Sequence, residues 1–240
     1  MNLIIDIGNT LVKIAVYNND KEVYFEHFKN ITEDDVNHIC SKYNPGKAIL
    51  SNVGNVPANV LTFLQKMPFF IQLDNKTKLP IKNNYGSPET LGYDRIAAVV
   101  GACILFPNKN VLVIDSGTAI TYDIITKQLE YMGGAISPGL QLRYNALHNF
   151  TAKLPQLEKE DNIKFIGKTT SECIHSGVVN GITGEMNHFI EEISSIYDDC
   201  QIVLTGGDSI FFANKLKNSI FVNLKLSIIG LNRILEFNAK

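Results

Sequence analysis

The sequence is poor in cysteine, with four in 240 residues. Cys40, Cys103, Cys173 and Cys200 stand far apart and form no CxxC pair, so neither a zinc ribbon nor a dithiol redox site is available. They read as reduced, buried thiols of a cytosolic protein. The five histidines, at 27, 38, 148, 175 and 188, include no pair at i,i+3 or i,i+4, which removes the helical zinc motifs. Charge of one sign is also missing. With 22 Lys and Arg against 24 Asp and Glu, the net charge is −2, and the charges are scattered. That excludes the clustered basic surface that nucleic acid or an anionic membrane requires. The longest apolar run, Ile96 to Phe106, stops at Pro107, well short of the ~20 residues that cross a bilayer. The chain opens directly into MNLIID with no basic segment before it, so no secretory signal is read and the cytoplasm is the expected location. A small molecule is the expected partner.

Present instead is a regular alternation of short strands and helices. Asn2 to Ile7 is aliphatic, turns tightly at DIGNT and continues apolar from Leu11 to Tyr17, which predicts a β-hairpin. A third strand over Glu22 to Phe28 precedes Thr32 and Asp35, whose spacing predicts a capped helix to Lys42. Ala48 to Asn52 and Phe69 to Leu73 read as strands around a helix over Pro57 to Met67. Asp74 to Leu91 lacks hydrophobic period and reads as a long functional loop. Gly92 to Phe106 reads as a helix, and Val111 to Asp115 and Ile120 to Thr126 as a second hairpin across DSGTA. Ser137 and Pro138 are expected to cap and start a helix to Phe150. Apolar residues at 174, 178, 182, 186, 189, 193 and 196 mark one face of a long helix over Thr170 to Tyr197. Gln201 to Leu204 is a strand leading into Thr205-Gly-Gly-Asp208, and an amphipathic helix over Ser227 to Phe237 closes the chain.

The two hairpins echo each other. Shifted by 109 positions, Leu3-Ile-Ile-Asp6-Ile-Gly8 faces Leu112-Val-Ile-Asp115-Ser-Gly117, and each reads as strand, Asp-x-Gly turn, strand. Short strands ending in Asp-x-Gly are common hairpin chemistry. A duplicated βββαβα domain is the other reading. It would set two halves around a cleft, with glycine at 8 and 117 letting backbone approach a phosphate and an Asp beside each anion site held off by a cation.

Six motifs carry a resemblance along the whole chain: DIGNTLVK (6–13), GYDR (92–95), DSGTA (115–119), GGAISPG (133–139), IGKTTSECIHSG (166–177) and TGGD (205–208). In this order and at these separations the sequence resembles the type III pantothenate kinases of the sugar kinase, heat-shock chaperone and actin superfamily. Two positions depart from the usual pattern. Lys-Thr precedes Thr170 where Arg-Asn is frequent, and Lys29 stands where an arginine is common.

The resemblance implies an α/β chain of two actin-like, ribonuclease H-like domains, 1–110 and 111–240. Each is a mixed five-stranded sheet flanked by helices, and the active site lies in the interdomain cleft. It implies ATP-dependent phosphorylation of pantothenate to 4'-phosphopantothenate, the first step toward coenzyme A, with Mg²⁺ accompanying ATP. Asp6, Ile7, Gly8, Asn9, Thr10, Leu11, Val12 and Lys13, with Thr118, would bind ATP. Tyr85, Gly92, Tyr93, Asp94, Arg95 and Thr170 would bind pantothenate, Asp94 would act as general base, and Asp115 would hold K⁺ or NH₄⁺. A homodimer is implied, with no nucleic acid or membrane partner.

Each residue also has a plainer reading. Asp6 and Asp115 suit turn capping, Thr118 a polar strand face, Asp94 the favourable N-terminal end of a helix dipole, Tyr85 a loop anchor and Thr170 a helix N-cap. Cys173, Gly177, Gly181 and Gly184 form a small-residue stripe suited to close helix packing or a subunit interface. His148 and His175 read as helix-surface or core residues, and TGGD equally suits a turn with a capping Asp. Rival functions are another small-molecule kinase or an exopolyphosphatase on the same fold, or a catalytically silent nucleotide-binding regulator.

Overall fold

Residues 1–217 and 219–239 are described in the computed structural model. By contact the chain divides into two units, one comprising Met1–Pro107, Gln128–Met132 and Lys225–Lys240, the other Asn108–Lys127 and Gly133–Leu224.

The first unit is built on β1 (Asn2–Ile7), β2 (Val12–Asn18), β3 (Lys21–Phe28), β4 (Lys47–Asn52) and β5 (Phe69–Gln72), in the order β3-β2-β1-β4-β5. All six residues of β1 are buried, as a central strand covered on both faces requires, whereas β3 at the edge is half-exposed along its length. β1 runs antiparallel to β2 and parallel to β4. The connections are α1 (Glu33–Tyr43) and α2 (Ala58–Gln65). α1 starts as its sequence predicts. Thr32 Oγ1 accepts from the Asp35 N–H at 3.2 Å, and the Asp35 carboxylate accepts from the Thr32 N–H at 2.9 Å. The expected loop after β5 contains a two-residue strand, β6 (Lys82–Asn83), and a 3₁₀ turn at Pro88–Thr90 before α3 (Tyr93–Leu105).

The second unit repeats the plan. β7 (Val111–Ser116), β8 (Ala119–Ile125), β9 (Glu130–Pro138), β10 (Gln201–Thr205) and β11 (Phe221–Val222) take the order β9-β8-β7-β10-β11, with β7 antiparallel to β8 and parallel to β10. This is the strand order of the first unit, so the 109-residue echo is a duplication of topology. The first residues of β9 belong by contact to the first unit, where Lys82 and Asn83 pair with Glu130 and Tyr131. The helices α4 (Leu140–Asn149), α5 (Thr170–Ile196) and α6 (Ser209–Ala213) complete the second unit, and α7 (Leu226–Asn238) packs on α3, β1 and β4 of the first.

Four expectations need correction. The segment expected to start a helix at Ser137 and Pro138 is the end of β9, and α4 begins at Leu140 behind Gly139. Ser137 is free for another use because it does not cap. Thr169, not Thr170, is the N-cap of α5, its hydroxyl accepting from the Glu172 N–H at 3.2 Å. The face of α5 is buried at Ile174, Val178, Ile182, Met186 and Ile190, while the expected positions Phe189 and Ile193 are half-buried and Ile196 is exposed. Of the thiols, Cys40, Cys103 and Cys200 are half-buried and Cys173 is exposed, all four unpaired.

Candidate active site

Asp6 is the last residue but one of β1, opposite Lys13 in β2 and opposite Ser51 in β4. It is nearly fully buried, and its carboxylate accepts from Ser227 Oγ of α7 at 2.9 Å. Burial pushes the Asp6 carboxyl above the ordinary range, the Lys13 ammonium and the Ser227 hydrogen bond oppose that, and the charge of Asp94 adds to it. Asp6 and Asp94 therefore lie within each other's field. Beyond Asp6 the chain turns, with the Gly8 N–H donating to the Leu11 carbonyl at 3.1 Å, and Asn9, Thr10 and Leu11 are exposed. A cavity of about 270 Å³ lies against this turn, lined among others by Gly8, Asn9, Thr10, Lys29, Asn30 and Asn55. Its donors are backbone N–H groups, amides, a hydroxyl and one ammonium, a set that suits an anion. Ile7 and Val12, which flank the turn, are buried and also line this cavity.

Asp94 sits in the first turn of α3 behind the N-cap Gly92, beside Tyr93, and its carboxylate accepts from the Arg95 N–H at 2.8 Å. Arg95 is 6% exposed. Its guanidinium lies 5.5 Å from the centroid of the Tyr85 ring, and Tyr85 stacks on buried Tyr131 at 6.0 Å and 27°. The loop carrying Tyr85 is held by the β6–β9 pairing, by the Lys82–Glu130 ion pair at 2.7 Å, and by Asn83 Oδ1, which accepts from the Tyr85 N–H at 3.0 Å. Tyr85 is thus an anchor and an arginine partner at once.

In the second unit Asp115 takes the place of Asp6, opposite Thr121 in β8 and Thr205 in β10. It is half-buried. Gly206, at φ +90°, comes so close that a Cβ there would lie 2.4 Å from Asp115 Oδ1 and 2.5 Å from the Ser116 carbonyl oxygen. Thr118 is exposed at the tip of the turn, where the Gly117 N–H donates to the Ala119 carbonyl at 3.1 Å. Asp208 occupies the N-cap position of α6 without a capping bond, and its carboxylate instead pairs with Lys159 at 3.0 Å. Thr170 is exposed and lines an apolar groove of about 630 Å³ with Arg143, Leu147, Leu154, Cys173 and Gly177. His175 is a core residue, hydrogen-bonded to the Tyr144 hydroxyl at 2.9 Å and paired with Glu160 at 3.2 Å. His148 Nδ1 is 2.8 Å from the Leu154 carbonyl oxygen.

The first unit therefore gathers Asp6, the turn to Lys13, Tyr85, Gly92, Tyr93, Asp94 and Arg95, and the second carries Asp115, Thr118 and Thr170. Sequence reasoning missed Ser227, Tyr131, Asn55 and Gly206. Only Gly206 left a signal, within the TGGD motif. Among the described residues no group of three or more His, Cys, Asp or Glu could hold a metal ion.

A family model described as type III pantothenate kinase matches residues 2–192. The type III pantothenate kinase of Christiangramia forsetii is 44% identical over 249 residues, covering 99% of each chain. That of Bacteroides fragilis strain YCH46 is 44% identical over 239 residues, covering 99% of this chain and 98% of its own. Among solved structures, a Campylobacter jejuni protein described as a Baf family transcriptional activator superposes with a TM-score of 0.62 at 22% identity, covering 99% of this chain and 98% of that one. The ROK hexokinase of Thermus thermophilus gives 0.55 at 10% identity, covering 98% of both chains. These two likenesses show a shared fold. With the family model spanning most of the chain and full-length relatives above 40% identity, the chain belongs to the type III pantothenate kinase family.

Proposed function

We propose that the protein transfers the γ-phosphoryl group of ATP to the primary hydroxyl of pantothenate, yielding 4'-phosphopantothenate at the start of coenzyme A synthesis. The observation that carries the mechanism is the placement of Asp94. It stands at the start of α3, next in sequence to an arginine that is buried and stacked on Tyr85, and within the field of Asp6. Phosphoryl transfer is mainly positioning and charge neutralisation, so each group has a limited task. The turn from Asp6 to Lys13, with Ile7, Gly8, Asn9, Thr10, Leu11 and Val12, cradles the ATP phosphates, and Thr118 binds the nucleotide from the second unit. Mg²⁺, bound with ATP, neutralises phosphate charge. Arg95 pairs with the pantothenate carboxylate through its planar fork, with Tyr85, Gly92, Tyr93 and Thr170 shaping the acceptor site. Asp94 accepts the hydrogen bond of the acceptor hydroxyl, orients it in line with the γ-phosphorus and takes its proton.

Asp115 holds K⁺ or NH₄⁺; its support is the carboxylate and the Ser116 carbonyl brought against the Gly206 backbone, an oxygen-rich corner that a side chain at 206 would fill. Residues 1–110 and 111–240 are read as the two halves of the duplication. The enzyme is placed in the cytoplasm as a homodimer. The dimer reading is supported by the α5 stripe, where a Cβ at Gly177 or Gly184 would meet nothing within 4 Å.

Asp94→Asn tests the mechanism. It keeps the size and removes the basicity, so kcat falls by roughly 10² to 10⁴ with ATP affinity little changed. If Asp94 merely favours the helix dipole, the variant loses about 0.3 to 1 kcal/mol of stability and turns over within a few-fold of wild type.

A further inference from the structure

α5 is a helix whose inward side chains are overwhelmingly apolar, yet Glu185 turns its carboxylate into the second unit and is only 24% exposed. Three donors from three different elements converge on it. Tyr122 of β8 donates to Oε1 at 2.8 Å, Ser137 of β9 donates to the same oxygen at 2.5 Å, and Arg143 of α4 donates to Oε2 at 2.6 Å. Burial would raise the carboxyl, but these donors together hold it below the ordinary glutamate range, so the group is an anion that organises its surroundings. Arg143 also donates through Nε to the Pro138 carbonyl at 2.8 Å and through Nη2 to Ser137 Oγ at 3.3 Å. Residues 137 and 138 are thereby fastened at side chain and backbone alike.

The next residue is Gly139, and there the network meets the turn between β7 and β8. The Gly139 N–H donates to the Thr118 carbonyl at 3.0 Å, and a Cβ on Gly139 would lie 2.2 Å from the Gly117 oxygen and 2.5 Å from the Thr118 oxygen. Backbone packed on backbone at this distance leaves no slack, and a close-packed contact transmits displacement rather than absorbing it. We infer that Glu185 is a positioning residue for nucleotide binding: through Ser137, Arg143 and the Pro138–Gly139 backbone it sets where the Gly117–Thr118 turn stands. The inference rests on the reading of Thr118 as a nucleotide contact. A partly exposed Arg–Glu pair contributes little stability by itself, so a purely structural role and a positioning role differ in what they move.

The test compares Glu185→Gln, Glu185→Asp, Ser137→Ala, Tyr122→Phe and Thr118→Ala by thermal melting, titration with Mg²⁺–ATP, and KM and kcat for both substrates. Glu185→Gln presents an amide N–H₂ to donors that need an acceptor, and displacements of this kind justify an expected rise of about tenfold or more in the ATP Kd and KM. The pantothenate KM stays near wild type. Ser137→Ala and Tyr122→Phe, which remove one donor each, shift ATP in the same direction by a smaller factor, and Glu185→Asp recovers part of the Gln defect. If Thr118→Ala weakens ATP but the Glu185 and Ser137 variants change only the melting temperature, the inference is overturned and the nucleotide turn stands. If Thr118→Ala leaves ATP binding unchanged, the reading of the turn fails and takes the inference with it. Should Glu185→Gln not fold, the Ser137 and Tyr122 variants decide by the same criteria.

Discussion

The crossing of α3 and α7 offers a perturbation whose size follows from the geometry. A Cβ on Gly230 would stand 1.8 Å from the Ala97 carbonyl oxygen and 2.8 Å from the Gly101 nitrogen, and one on Gly101 would stand 2.1 Å from the Leu226 oxygen. Carbon and oxygen settle at roughly 3.3 Å or more, so either alanine must push two helix backbones apart by more than about 1 Å. Overpacking of this kind costs about 1 to 3 kcal/mol, and contact with rigid backbone places the cost at the upper end. Alanine in a helix interior returns about 1 kcal/mol of propensity. The net loss for Gly230→Ala is then about 2 kcal/mol, or roughly 4 to 8 °C in Tm for a chain of this size. Ser227, three residues earlier on α7, donates to Asp6, so the displaced helix should lower kcat as well. Once the helices have separated, the second methyl group fits at little further cost, and the Gly101→Ala/Gly230→Ala double variant loses less than the sum of the singles. Thermal melting and turnover on the four proteins of this cycle check the reasoning. A rise in Tm for Gly230→Ala would show propensity alone at work and refute the close approach, and strictly additive losses would refute the shared crossing.

Four further outcomes are expected. Because burial raises Asp6 in the folded state above its unfolded value, the fold binds the extra proton between those two values, and stability from this group declines as pH rises through that window; Asp6→Asn should flatten that slope while losing turnover, and melting curves of equal pH slope would refute it. Arg95→Gln should raise the pantothenate KM through loss of about 2 to 5 kcal/mol while sparing ATP, and Thr170→Val should act likewise by about 0.5 to 1.5 kcal/mol; an ATP-selective defect in steady-state kinetics would reassign these residues. Turnover should collapse when Na⁺ replaces K⁺, and Asp115→Ala should lose both activity and cation response; equal rates in the two salts would remove Asp115 from that role. Light scattering at micromolar concentration should return a homodimer, and a mass near 26.7 kDa would count against the α5 interface.

The elements and motifs were largely legible because their causes are local. The aliphatic run of β1, the Asp-x-Gly turns and the Thr32–Asp35 capping box each act within a few residues, and all three fold as read. The misreading at Ser137 has the same root. Ser-Pro is good N-cap chemistry locally, but Ser137 donates to Glu185, 48 residues away, and the strand continues through it. The apolar period of α5 gave its buried face correctly as far as Met186; beyond it Phe189 and Ile193 are half-buried, Ile190 is buried instead, and Ile196 is exposed.

What the sequence by itself determined was the alternation of strands and helices, the duplication of β7–β8 on β1–β2, and the candidate residues Asp6, Asp94, Arg95 and Asp115. Hydrophobic period, turn chemistry and repeated motifs are properties of short windows. Only the tertiary structure decided which polar groups complete the site. Ser227 reaches Asp6 across 221 positions, Tyr131 stacks beneath Tyr85, and Gly206 closes on Asp115. Such pairings depend on the crossing of helices and the register of sheets. Those are set by which backbones can approach to within a few ångströms, and no local pattern records that distance.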